Sequence, residues 1–155
     1  DKIIGCENKI KAHQGKGLLH QAFTIFIFNK KKQVLIQKRN KRKMLWPLIW
    51  ETSCSGHPKI GESLLPAARK RLKQELGINC RLKSVAKFQY QAAYKNIGSE
   101  NEGCAIIVGK YNGKIKTNPK EVADWKWMGL KELKQDIAKN PQKYAPWLKI
   151  AIIKI

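Results

Sequence analysis

Three histidines, His13, His20 and His57, and two carboxylates spaced by one residue, Glu100 and Glu102, are the side chains of this sequence best suited to shared chemistry. Imidazole nitrogens with carboxylate oxygens make the mixed donor set that suits a divalent transition ion such as Mn²⁺, Zn²⁺ or Fe²⁺. Residues two apart on a strand point to one face, so Glu100 and Glu102 converge if their segment is extended. Any one of these histidines, taken alone, is better read as a surface or packed residue. It is the set that points to a metal centre.

The elements that must position this set read as strands around one central helix. Residues 22–28 are apolar, β-branched and aromatic, which predicts a buried strand. The polar turn Asn29-Lys30-Lys31-Lys32 leads into a second strand near 34–37, making a hairpin. A basic loop (Lys38-Arg39-Asn40-Lys41-Arg42-Lys43) ends in Trp46-Pro47-Leu48-Ile49-Trp50, and a short strand carries Thr52-Ser53-Cys54-Ser55 into Gly56-His57-Pro58. Residues 63–77 are the clearest helix. Ser63 is placed to cap it, Leu65, Ala68, Leu72 and Leu76 recur at helical spacing, and Gly77 is the expected stop. Extended segments are expected near 80–92 and 102–111, a hairpin turn at Asn112-Gly113, a strand through Trp125-Lys126-Trp127, and helix over 130–138 and 141–150. This pattern predicts one α+β, sandwich-like domain over 1–155.

Composition narrows the setting. A length of 155 residues, 43% hydrophobic with five Trp, is enough for a proper core. No apolar run approaches the roughly 18–20 residues that span a bilayer. The start at Asp1-Lys2 carries no secretory pattern, and Cys6, Cys54, Cys80 and Cys104 follow no C-x-x-C spacing, so reduced thiols and a cytoplasmic location are expected. The net charge of +21 suggests a polyanion, yet only five of the 32 basic residues are Arg. Base edges and bidentate phosphate contacts favour Arg, so a diffuse lysine surface is the better reading of most of that charge.

From Gly56 the chain reads Gly-x5-Glu62-x7-Lys70-Arg71-Leu72-x-Gln74-Glu75-Leu76-Gly77-Ile78. This resembles the Nudix box, which implies a Nudix fold: a mixed β-sheet with a central Nudix helix and C-terminal helices. Two positions where a Nudix hydrolase carries metal-binding carboxylates are here Arg71 and Gln74, neither of which offers an anionic oxygen to a hard cation. The stretch from Trp46 to Pro58, with His13, His20, Glu100-Asn101-Glu102 and Ala145-Pro146-Trp147, closely resembles the type I isopentenyl-diphosphate isomerases, a Nudix-fold family, over nearly the whole chain.

That resemblance implies interconversion of isopentenyl and dimethylallyl diphosphate by metal-assisted protonation and deprotonation. It makes His13, His20, His57, Glu100 and Glu102 the ligands of one transition metal (Mn²⁺ or Zn²⁺), and Glu75 the residue holding Mg²⁺ against the substrate diphosphate. By the same resemblance Lys9, Arg39, Lys43 and Arg71 bind the diphosphate, Tyr90 and Glu102 handle the proton on one face of the alkene, and Trp147 covers the reacting carbons. A small prenyl diphosphate is the expected partner, with no specific nucleic acid, no membrane and a monomeric chain.

One position departs from the family. Its second proton-transfer residue is a Cys, and Ser55 stands there. A hydroxyl is a far poorer base than a thiol near neutral pH, so weak isomerase activity is expected. Cys54 is adjacent, but alternation along a strand should turn it to the opposite face. The competing readings are a Nudix diphosphate hydrolase and a polyanion-binding module.

Overall fold

The computed structural model describes residues 3–155; the start at Asp1-Lys2 lies outside them. In chain order the elements are a single turn α1 (Lys9–Ala12), strands β1 (His20–Phe28), β2 (Gln33–Arg39), β3 (Trp50–Glu51) and β4 (Cys54–Gly56), and helix α2 (Leu64–Leu76). Then come β5 (Leu82–Tyr94), β6 (Gly98–Lys110), β7 (Val122–Gly129), α3 (Leu130–Lys139), a 3₁₀ turn (Pro141–Lys143) and α4 (Pro146–Ala151).

Strand β1 is the axis of the sheet. It runs parallel to β6 along its whole length, from His20↔Glu102 to Phe28↔Lys110. Its other edge is shared between β4, opposite Phe23, Thr24 and Ile25, and β2, which meets it at Phe28↔Val34. Strand β5 pairs with β6 on the far side, and β2 carries β3 and β7.

Both faces of β1 are covered, which explains its uninterrupted apolar run. Phe23, Ile25 and Ile27 pack with Leu35, Cys54 and the α2 residues Ala68, Leu72 and Leu76. Ala22 and Phe26 face the opposite layer, with Ile106, Tyr90, Leu133, Trp147 and Leu148. The result is the expected mixed-sheet α+β sandwich.

Several expectations change in detail. Ser63 does sit before α2 in extended conformation, but its side chain makes no capping bond. Gly77 ends the helix as expected, at φ 67°, where a Cβ would come within 2.9 Å of Lys116. The strand expected over 52–55 begins only at Cys54, as β4, and Thr52 and Ser53 link it to β3. Ser53 Oγ accepts from the Ile27 N–H at 2.8 Å and donates to the Leu35 carbonyl at 2.6 Å, replacing a rung of the backbone ladder.

Asn112-Gly113 is not a hairpin turn. Strand β6 already has a neighbour on each edge, so the chain must leave it, and its next strand β7 joins β2 instead. Asn112 ties this crossing down by accepting from the Lys30 N–H at 2.6 Å. The four cysteines are free, as their spacing suggested, and among the described residues no helix is long and apolar enough to cross a membrane.

Candidate active site

The one-turn helix α1 sets the first histidine. Asn8 caps it by accepting from the Ile10 N–H at 2.9 Å, and His13 follows directly. The His13 carbonyl accepts from the Ser99 N–H at 2.9 Å, and a Cβ on Gly98 would lie 2.5 Å from that carbonyl oxygen. Only glycine permits this approach, which brings His13 against the start of β6. Parallel pairing then sets His20 beside Glu102, and β4 delivers His57 just beyond its end.

The five ligand atoms of His13, His20, His57, Glu100 and Glu102 all lie within 4.8 Å of one another. His13 Nδ1 is 2.6 Å from the Lys9 carbonyl and His20 Nδ1 is 2.7 Å from the Leu18 carbonyl. A carbonyl only accepts, so both Nδ1 atoms carry the proton and both Nε2 atoms present lone pairs. His13 Nε2 therefore faces Glu100 Oε2 at 2.9 Å, acceptor against acceptor. These two atoms and His20 Nε2 are buried without a hydrogen-bond partner. Buried lone pairs converging on one point need a cation, and imidazoles oriented through their second nitrogen are how proteins hold a metal. The donor set fits a divalent ion.

Glu102 has two roles to divide between its oxygens. Oε1 lies 2.9 Å from His57 Nε2 and 3.7 Å from His20 Nε2, while Oε2 accepts from the Tyr90 hydroxyl at 2.8 Å. Burial opposes ionisation of Glu102, but the neighbouring His20 and His57 imidazoles and the Tyr90 hydroxyl outweigh it and hold its carboxyl well below the usual range. Burial, reinforced by the Glu102 and Glu100 charges, pushes the Tyr90 phenol far up, so Tyr90 stays a donor.

Ser55 and Cys54 point to opposite layers, and the β1–β4 register is unbroken through them. Ser55 Oγ lies 3.1 Å from Thr24 Oγ1 and 3.0 Å from Thr52 Oγ1, a cluster of three hydroxyls with no charged member. Cys54 is fully buried against α2. Burial raises its thiol well above the ordinary range, and the Glu75 and Glu51 charges add to the effect, so it remains a thiol.

A second group of charges surrounds Glu75. This residue is on the buried face of α2, with Arg71 NH2 2.6 Å from Oε1 and Gln37 Nε2 donating to Oε2 at 2.7 Å. Lys43 Nζ lies 3.6 Å from Oε1 and hydrogen-bonds Glu121 Oε2, which also takes Arg71 NH2 at 2.9 Å. Burial, then the Lys43 and Arg71 charges, push the Lys9 ammonium down, which sets Lys9 within reach of the same cations. Glu75 and Glu121 offset the charges of Lys43 and Arg71. Gln74, by contrast, is exposed.

Arg39 is already engaged. Its Nε donates to the Trp46 carbonyl at 3.0 Å, NH2 to the Leu45 carbonyl at 3.0 Å, and NH1 to Glu51 Oε1 at 2.8 Å. Trp147 is buried, and its indole Nε1 donates to Glu51 Oε2 at 3.1 Å. Sequence reasoning missed Glu51, Glu121 and Gln37. Each meets its partner across a large sequence separation, and no local spacing carries that signal.

This mixed seven-stranded sheet, with a carboxylate-bearing helix on one face, is the architecture of the Nudix class, and the NUDIX domain family model matches residues 18–148. The solved structures of DR0079 from Deinococcus radiodurans (TM-score 0.80, 18% identity, covering 99% of this chain and 93% of that one) and of the MutT protein from Methanosarcina mazei (0.72, 14%, 88% and 91%) share the fold. Isopentenyl-diphosphate Delta-isomerase of Serratia proteamaculans is 40% identical over 147 residues, 95% of this chain and 82% of the relative. Isopentenyl-diphosphate Delta-isomerase 1 of Aromatoleum aromaticum is 38% identical over 155 residues, 100% and 87%. The chain belongs to the isopentenyl-diphosphate Delta-isomerase family within the Nudix superfamily.

Proposed function

We propose that this chain interconverts isopentenyl and dimethylallyl diphosphate. The reading is carried by Glu102, whose one oxygen belongs to the histidine cluster and whose other oxygen is hydrogen-bonded by Tyr90. That arrangement gives a fixed acid/base pair on one face of the substrate alkene. Protonating an unactivated alkene produces a tertiary carbocation, so the site must exclude water and stabilise positive charge without offering a nucleophile. The buried indole of Trp147 meets both needs through the negative face of its ring.

Lys9, Lys43 and Arg71 bind the diphosphate, with Arg39 behind them. Glu75 holds Mg²⁺ against it, and the histidine cluster holds Mn²⁺ or Zn²⁺. When bound, Mg²⁺ would offset the diphosphate charge and the ion of the histidine cluster would keep Glu102 in place. Glu102 and Tyr90 hold and move the proton at one end of the allylic system, and Ser55 stands where the second proton must be handled. A neutral hydroxyl among hydroxyls is a weak base, so turnover is slow. The protein works as a cytoplasmic monomer on a free prenyl diphosphate.

Proton NMR of isopentenyl diphosphate with the protein, Mg²⁺ and Mn²⁺ tests the proposal, the expected result being slow appearance of dimethylallyl diphosphate. Phosphate release would indicate a hydrolase, a reading that Arg71 and the exposed Gln74 weigh against. Neither product, together with RNA binding that falls steeply with salt, would leave a polyanion-binding module.

A further inference from the structure

Strand β3 meets the segment that leads into Trp147. Trp50 bridges Tyr144 in parallel, and the Ala145 N–H donates to the Trp50 carbonyl at 2.9 Å. The next residue, Glu51, is 2% exposed and has one oxygen on each of two donors: Oε1 on Arg39 NH1 and Oε2 on the Trp147 indole N–H. The Arg39 guanidinium itself lies 5.2 Å from the centroid of the Trp147 ring, within cation–π range.

This geometry poses a difficulty that Glu51 solves. A guanidinium on an indole draws on the same electron density that a carbocation would use, and its own charge repels a second cation nearby. A carboxylate bound to both groups cancels the guanidinium charge. Through the N–H bond it also polarises the indole so that density returns to the ring. The same bond fixes the ring's rotation, to which the T-shaped packing of Trp46 adds, at 5.5 Å between centroids.

We propose that Glu51 is a positioning residue for Trp147, neutralising Arg39 and holding the indole so that its ring is free to stabilise positive charge in the substrate. The inference rests on the isomerase reading for the identity of that charge. The bonds themselves do not depend on it.

The test compares two diphosphates of the same shape, 2-(dimethylammonio)ethyl diphosphate and 3-methylbutyl diphosphate, by calorimetry. The ratio of their affinities isolates the charge and cancels any change in diphosphate contacts. Wild type should favour the ammonium compound, and Glu51→Gln should lower that ratio by about tenfold. In ¹H–¹⁵N spectra the Trp147 indole resonance, assigned by its loss in Trp147→Phe, should move upfield in Glu51→Gln while those of Trp125 and Trp127 stay in place.

Because Glu51→Gln leaves a partly buried guanidinium without its counter-charge, which puts folding at risk, Arg39→Met/Glu51→Gln serves beside it. Removing both charges should shift the indole resonance in the same direction and restore the ratio to within about threefold of wild type. An unchanged ratio in folded Glu51→Gln, or an indole resonance that stays in place in either variant, overturns the proposal. Failure of wild type to isomerise would remove the isomerase reading while the indole resonance still judges Glu51.

Discussion

Tyr90 and Glu102 are register partners on β5 and β6, and the phenol donates to Glu102 Oε2 at 2.8 Å while Oε1 faces the histidines. The bond is buried and made to a carboxylate, a class worth about 1.5–3 kcal/mol. Tyr90→Phe removes it with little change in packing. The expected result is a fall in kcat of about 10–100-fold with KM almost unchanged, read by NMR turnover. An equal loss in binding would assign Tyr90 to the substrate-holding surface instead.

Metal should stabilise the fold through the five-ligand cluster. At about 100 times its Kd, one ion adds about 2.7 kcal/mol, or roughly 5–10 °C in Tm for a chain of this size. His57→Ala should lose most of that gain and most of the metal found by elemental analysis. Since the imidazoles must be neutral to bind, protons compete with the metal and its affinity should weaken as pH falls. A His57→Ala protein that keeps the metal-dependent Tm shift would dissolve the site.

Glu75→Gln addresses the diphosphate. Diphosphate binding should weaken chiefly when Mg²⁺ is present, because the substitution removes the negative charge that would attract the cation. Removing one partner from a buried ion pair costs about 3–5 kcal/mol, so the variant should also melt earlier. Calorimetric titration of diphosphate across a Mg²⁺ series reads the effect, and identical curves for wild type and variant would end the assignment.

Ser55→Cys should raise kcat by at least about 10²-fold, the lower value of a positioned acid or base, with substrate affinity nearly constant. Loss of the hydroxyl contacts to Thr24 and Thr52 should cost about 1 kcal/mol in stability. Cys54→Ala should leave turnover in place, since that thiol is buried on the α2 side. The reverse pattern, with Cys54→Ala inactive and Ser55→Cys inert, would make Cys54 the working thiol.

Sequence by itself determined the elements whose information is local. Helix α2 is legible because Ala68, Leu72 and Leu76 repeat on one face and Gly77 alone fits the left-handed stop. Strand β1 is legible from its apolar run, and the alternation that separates Ser55 from Cys54 follows from strand geometry. The five metal-ligand candidates were legible as residue types and as a family pattern.

Tertiary structure decided what depends on which edge is already taken and which charges meet. Asn112-Gly113 is an ideal hairpin dipeptide, yet β6 has no free edge for the next strand, so pairing geometry overrides turn propensity. Glu51, Glu121 and Gln37 look like ordinary surface residues until they are seen against Trp147, Lys43 and Glu75, partners 96, 78 and 38 positions away in the chain. Electrostatic partners act over a few ångströms in space regardless of separation along the chain, so only the folded sheet shows that Arg39 is held by Glu51 and two carbonyls.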